Sequence, residues 1–170
     1  LQSGKTTISN YLADSNDISI QEYRPTQGVR IVEFESNELE LNGERIDAEV
    51  ELWDCSGDQR FEKCWPAIKR DSKGVILVCR LGKDAGQSLI PWYSEFVERC
   101  TMNPMHVIVF LHRPTEKSNE NTISAFRLPL SMSGLSVVPW NIDQDGEHLR
   151  LEFNSFLCKV ISDMKFTNAT

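Results

Sequence analysis

The sequence has 170 residues, of which 40% are apolar and 25% charged, enough for one globular domain with a sizeable core. A formal net charge of −7 argues against a general nucleic-acid or anionic-membrane surface, but not against one anionic ligand held by backbone dipoles. No apolar run reaches the ~20 residues a bilayer-spanning helix needs. No signal peptide is visible, and Thr167 to Thr170 hold no cysteine for a prenyl anchor.

Leu1 is not Met, and no strand precedes the first motif, so the chain reads as starting inside its domain. Residues 4–13 predict a short helix with Ile8, Tyr11 and Leu12 on one face. Asp14 to Gln21 reads as a loop. Gly28 to Glu35 alternates as a strand, and Glu38 to Leu52 as a hairpin turning at Asn42-Gly43, a pair that tolerates positive φ. Ile46, Ala48, Val50 and Leu52 supply its apolar face.

The period then changes. Val75–Cys79 and Val107–Leu111 are continuous apolar runs, as in strands covered on both faces. Between them, Ser88–Cys100 reads as a helix carrying Leu89, Trp92, Tyr93, Phe96, Val97 and Cys100. Leu135–Trp140 is a further strand. Gly146–Lys165 is a final helix, with Leu149, Phe153, Phe156, Leu157, Val160, Ile161 and Met164 on one face. Strands alternating with amphipathic helices predict an α/β fold: a mostly parallel sheet, one antiparallel hairpin edge, and helices on both faces. The expectation is a single domain over residues 1–170, with Thr115–Thr122 its most disorder-prone loop.

Cys55, Cys64, Cys79, Cys100 and Cys158 form no CxxC pair and no His–Cys metal spacing. They read as buried thiols in a reducing cytosol. The sequon Asn168-Ala169-Thr170 then reads as a chance match.

Three segments carry chemistry. Ser3-Gly4-Lys5-Thr6-Thr7 opens a helix. A phosphate-binding loop ends in Gly-Lys-Thr because Gly lets the backbone approach the anion, Lys neutralises β/γ oxygens, and the hydroxyl ligates Mg²⁺. Trp53-Asp54-Cys55-Ser56-Gly57 ends the hairpin. Asp54 can hold Mg²⁺ through water, and the Gly57 N–H can meet a γ-phosphate. Tyr23-Arg24-Pro25-Thr26-Gln27-Gly28 precedes a strand, and Thr26 offers a second hydroxyl to the metal. Each alone is also an ordinary turn; their order along an α/β chain is the stronger signal.

Together these segments resemble the Ras/Rab family of small GTPases, with a P-loop small-GTPase fold. The resemblance implies that the first strand and the start of the phosphate loop precede residue 1. It implies GTP or GDP with Mg²⁺ as ligands, phosphate contacts from Ser3, Gly4, Lys5, Thr6, Thr7, Thr26 and Gly57, and metal contacts from Thr6, Thr26 and Asp54. Tyr23–Ile31, Val50–Cys55 and Phe61-Glu62-Lys63-Cys64-Trp65-Pro66-Ala67 are more closely similar to the Rab-like GTPases of the intraflagellar transport B complex. That likeness implies a role in cilium and flagellum assembly, a place in the cytoplasm, the cilium or flagellum and its basal body, and docking to a coiled-coil heterodimer.

The pattern departs from the family in three places. Asp58 stands where a Gln usually orients the attacking water, and Gln59 lies one residue late, so these two are the only catalytic candidates and hydrolysis is expected to be slow. Leu111-His112-Arg113-Pro114-Thr115 replaces the family's Asn-Lys-x-Asp, which removes the carboxylate that reads guanine. Trp140-Asn141-Ile142-Asp143-Gln144 stands in place of the family's Ser-Ala-Lys. His112, Arg113 and Asn141, with Asp143 as an alternative to Asn141, are the remaining candidates for the base, and ATP stays open beside GTP. A nucleotide-gated adaptor is the leading expectation; an active GTPase needing an activating partner and a structural pseudo-GTPase are the alternatives. Trp92 and Tyr93 read as core residues. Trp65 reads as either core or partner surface.

Overall fold

A computed structural model describes residues 3–14, 25–113 and 125–167. Tyr23, Arg24, Pro114, the Thr115–Thr122 loop and the sequon lie outside the described residues. The chain divides into two compact units, Leu1–Asp71 and Ser72–Thr170.

In the first unit, helix α1 (Lys5–Leu12) buries Ile8, Ser9 and Leu12. Strands β1 (Val29–Leu41) and β2 (Glu44–Cys55) pair antiparallel, from Val29 opposite Cys55 to Leu41 opposite Glu44. The turn between them is Asn42-Gly43, with φ of 53° and 81°. Two consecutive positive φ values match the right-handed twist of the strands, which is why Asn-Gly marks the turn in sequence. In β2, Ile46, Ala48, Val50 and Leu52 are half-buried and alternate with exposed Glu and Asp, as the period predicts.

The sequence suggests a strand ending at Glu35 and a hairpin starting at Glu38, but β1 runs through both. Between Ser36 and Leu39 the register shifts, so three steps of β1 face two of β2. This bulge absorbs Ser36-Asn37, weak strand formers that hide the continuity. On one face Glu33 stands opposite Glu51, and Glu35 opposite Glu49, all four exposed. A 3-10 segment (Gln59–Cys64) and the short helix α2 (Trp65–Lys69) follow, with Ile68 buried and Trp65 half-buried.

In the second unit, β3 (Val75–Arg80), β4 (Val107–His112) and β5 (Ser136–Trp140) form a parallel sheet in the order β3-β4-β5. Val107 to Leu111 are all buried, as a continuous apolar run requires of a central strand. The core gathers Leu77, Cys79, Leu89, Tyr93, Val97, Leu111, Met132 and Leu135, with Trp92 packed partly buried against it.

The segment expected as a regular helix over Ser88–Cys100 changes type along its length. A 3-10 turn (Gln87–Leu89) leads into α3 (Ile90–Tyr93) and then a π turn (Ser94–Glu98). Five-residue bonds from Arg99 N–H to Ser94 and from Met102 N–H to Val97, each 3.0 Å, define the wider turn. Apolar periodicity does not distinguish these windings, since all three bury Leu89, Tyr93 and Val97. The last helix, α4 (Ile142–Thr167), is interrupted at Asp145, whose φ is −121°, so its regular part begins where the sequence places it. It buries Leu149, Phe153, Phe156 and Val160, while Met164 is exposed.

The cysteines depart from the expectation of five buried thiols. Cys79 is buried, Cys55, Cys100 and Cys158 are half-buried, and Cys64 is exposed; all are free. Burial pushes the Cys79 thiol up to about 11.

Gly74 sits where α4 crosses the start of β3. A Cβ there would lie 2.8 Å from Cζ of Phe156 and 3.3 Å from the His106 carbonyl oxygen. The carbonyl belongs to backbone and cannot turn aside. Gly74→Ala is expected to cost about 1–3 kcal/mol of stability by overpacking, read as a lower urea midpoint with an unchanged slope.

Candidate functional site: a hydroxyl and carboxylate cluster beside a buried lysine

In the first unit the site is built at two chain reversals. Gly4 enters α1 at φ 99°, which frees the helix start and sets Lys5 and Thr6 at its opening. Gly28, at φ 74°, enters β1, and its carbonyl accepts the Ser56 N–H at 2.8 Å. That bond fixes the residues leaving β2 against those entering β1.

These elements bring three predicted metal ligands together. The Thr6 hydroxyl donates to Oδ2 of Asp54 at 2.7 Å, and the Thr26 hydroxyl donates to the same oxygen at 3.4 Å. The two hydroxyl oxygens are 3.1 Å apart. Arg30 adds its Nε at 3.9 Å from Oδ2, and its far end donates to Asn10. The Asp54 side chain is fully buried, and its Oδ1 has no partner among the described residues. A buried carboxylate oxygen without a donor is costly, and a hydrated cation relieves that cost. Two hydroxyls and one carboxylate are hard oxygen donors, the set that suits Mg²⁺ when phosphate and water complete the octahedron. The arrangement fits that ion, and no cluster of three His, Cys, Asp or Glu residues exists among the described residues to suggest a softer metal.

Lys5 lies beside this cluster. Its Nζ donates to the Ser3 hydroxyl at 3.2 Å. Burial pushes its pKa below the ordinary lysine value, and Asp54 and then Cys55 pull it back. The Cys55 thiol is pushed up to about 11, first by burial and then by Asp54. A partly dehydrated ammonium binds an oxyanion more strongly than a solvated one does. A Cβ at Gly57 would stand 3.5 Å from Lys5 Nζ, so the Gly57 backbone also borders the ammonium. Thr7 is exposed.

The two catalytic candidates separate. Gln59 is exposed. Asp58 is turned onto its own chain: Oδ1 accepts the Arg60 N–H at 2.9 Å, capping the 3-10 segment, and Oδ2 accepts Arg60 Nε at 2.8 Å. The Arg60 hydrogen bonds hold the Asp58 carboxyl below the ordinary carboxylate value. Arg60 was not among the predicted site residues, though an Asp two residues ahead of it at a helix start is a legible cap signal.

In the second unit, His112, Arg113 and Asn141 come together at the carboxyl ends of β4 and β5, where α/β sheets place ligands. The His112 ring stacks on Trp140 with centroids 4.6 Å apart, and its Nδ1 is buried without a partner among the described residues. Arg113 N–H donates to the Trp140 carbonyl at 2.9 Å, and Asn141 Nδ2 to the Arg113 carbonyl at 3.1 Å. Asn141 Oδ1 accepts the Asp143 N–H at 3.0 Å. Both ends of the Asn141 side chain are therefore engaged in shaping the loop. Sequence reasoning missed Asp145. Its Oδ2 pairs with the Arg113 guanidinium and accepts the Asn141 N–H at 3.0 Å. It brings a carboxylate into this loop, already paired with Arg113.

A family model described as "Ras of Complex, Roc, domain of DAPkinase" matches residues 1–113. Intraflagellar transport protein 22 homolog of Mus musculus is 38% identical over 96% of this chain and 86% of its own length. The chain belongs to the intraflagellar transport protein 22 family of Ras-like GTPases. Intraflagellar transport associated protein 2 of Caenorhabditis elegans is 35% identical over 94% of this chain and 75% of its own. Among solved structures, the GDP-bound crystal structure of T. brucei IFT22 matches with a TM-score of 0.69 and 25% identity, covering 95% of this chain and 90% of that one. The family's α/β architecture accords with the strands and helices found in each unit.

His112 gives a pH-dependent prediction. Burial, and then the charge of Arg80, lowers its pKa below the ordinary imidazole value of 6.5. The folded state thus binds fewer protons than the unfolded state as the imidazole titrates. Stability from this residue is complete above pH 6.5 and is lost as pH falls from there through the lower folded value. His112→Gln is expected to flatten the fall in the urea midpoint over that acid range. An unchanged slope would contradict it.

Proposed function

We propose that this chain is a guanine-nucleotide-binding switch that works as an adaptor in intraflagellar transport. The observation that carries the reading is the buried Asp54 carboxylate, one oxygen met by the Thr6 and Thr26 hydroxyls and the other unpartnered among the described residues, next to the partly buried Lys5. A nucleotide diphosphate or triphosphate would be held by Lys5 and by the N–H groups from Ser3 to Thr7 at the start of α1. Mg²⁺, held by Thr6 and Thr26 directly and by Asp54 through water, would supply charge neutralisation at the phosphates.

Gating follows from where the ligands sit. Thr26 lies on the segment leading into β1, and Gly57 on the segment leaving β2. A ligand that engages both orders two loops at once, and their common surface is then available to a protein partner. The relatives' names, and the GDP of the T. brucei neighbour, support guanine nucleotide and a ciliary or flagellar role. We extend this to a coiled-coil heterodimer of the B complex as the partner, and to the cytoplasm, cilium or flagellum and its basal body as its places of work. His112, Arg113 and Asn141, in the second unit, are the proposed contacts to the base. With Asn141 engaged in its own loop, discrimination between guanine and adenine is weaker than in relatives with the full motif. Hydrolysis is slow at best, because Asp58 is bound to Arg60 and Gln59 is exposed. The family model crosses Asp71, and the Mus musculus relative aligns over 96% of the chain, which supports reading residues 1–170 as one domain.

The test couples two measurements. Lys5→Ala and Thr6→Asn should each weaken GTP binding at least about tenfold, as expected for loss of a charged phosphate contact or a metal ligand. Both should weaken capture by the purified heterodimer in parallel. Partner affinity that is the same in nucleotide-free and GTP-loaded protein would end the gating model. Phosphate release faster than GTP dissociation, with or without partner, would favour an active hydrolase.

A further inference from the structure

Asp58 poses an electrostatic problem that the nucleotide reading leaves open. It follows Gly57, where an added Cβ would stand 3.5 Å from Lys5 Nζ. A free carboxylate there would repel the terminal phosphate of a triphosphate and leave a diphosphate nearly unaffected. Like charges at a solvated surface repel, and salt weakens that repulsion, so the effect to expect is a severalfold change in relative affinity.

The structure gives that carboxylate a partner from its own chain. Asp58 Oδ2 lies 2.8 Å from Arg60 Nε and 2.7 Å from a terminal Arg60 nitrogen, a two-point contact with the guanidinium. Oδ1 is occupied by the Arg60 N–H at 2.9 Å. The Asp58 side chain is 24% exposed and that of Arg60 is 81% exposed. An exposed ion pair like this one adds little to fold stability. Its effect lies in the field it presents, since the pair carries no net charge next to the phosphate-bordering glycine.

We propose that the Asp58–Arg60 pair sets the preference of this site between diphosphate and triphosphate, with Arg60 cancelling a carboxylate that otherwise excludes the γ-phosphate. The proposal rests on the reading of Lys5 and Thr6 as the phosphate site. Asp58 acts as the discriminating charge and Arg60 as its positioning and neutralising partner; neither is assigned a bond to the nucleotide.

The experiment measures the ratio of affinities for GDP and a non-hydrolysable GTP analogue. Fluorescent nucleotides are titrated with Mg²⁺ into the full chain and its variants. Arg60→Ala, which bares the carboxylate, should shift the ratio toward GDP severalfold. Asp58→Asn keeps an oxygen to cap the 3-10 segment but removes the charge, and should shift it toward the GTP analogue. Asp58→Asn with Arg60→Ala has neither charge and should return close to the wild-type ratio, within the roughly twofold error of additivity. A ratio unmoved by Arg60→Ala overturns the proposal. So does a double variant that stays at the Arg60→Ala value, because Arg60 would then touch the phosphate itself. If wild-type protein holds neither nucleotide, the underlying phosphate-site reading fails, which is distinguishable from wild-type binding with an unmoved ratio. Far-UV circular dichroism checks that each variant remains folded.

Discussion

The buried carboxylate of Asp54 is the constraint around which the first unit is organised. It ends a strand whose alternation is otherwise regular, and it carries charge where the neighbouring positions carry Leu and Trp. Burying such a group is unfavourable by several kcal/mol unless donors surround it. The Thr6 and Thr26 hydroxyls and Arg30 meet one of its oxygens. Each comes from a different part of the chain: the opening of α1, the approach to β1, and β1 itself. The carboxylate thus draws three segments to one point and leaves its second oxygen for something the polypeptide does not supply.

The second unit meets a comparable demand with charge pairing inside the protein. Arg113 and Asp145 link the ends of β4 and the break at the start of α4, and Asn141 uses both ends of its amide to complete the loop. There the carboxylate is met by the protein's own donors and only Arg113 Nε stays without a partner among the described residues, whereas at Asp54 it is an acceptor that stays open. That difference separates a loop shaped by its own residues from a site that calls for a ligand. His112 lies between the two cases, with one ring nitrogen unpartnered above a stack on Trp140.

Much of this was legible in sequence where the signal was local. The Asn42-Gly43 turn, the alternation of β2 and the apolar run of β4 each follow from a few adjacent residues and were found as expected. Gly4-Lys5-Thr6 and Asp54-x-x-Gly57 likewise carry their chemistry in short spans, so the cluster they form could be anticipated. The bulge at Ser36–Leu39 could not, because it depends on what β2 offers opposite. The π turn at Ser94–Glu98 could not either, since apolar spacing is nearly the same for the neighbouring helix types. Asp145 was missed because its partner Arg113 is 32 residues away and nothing nearby marks the pairing. Asp58 was noticed as a lost glutamine, while its structural task as a cap depended on the following arginine.

The hairpin face bearing Glu33 opposite Glu51 and Glu35 opposite Glu49 has a consequence for crowding. Opposed like charges weaken the pairing of β1 with β2 slightly. They also make that face self-repelling, because two copies brought together there would press one set of carboxylates against another. A protein that works at high local concentration gains colloidal independence from such a face. Its copies can lie close together without stacking into sheets.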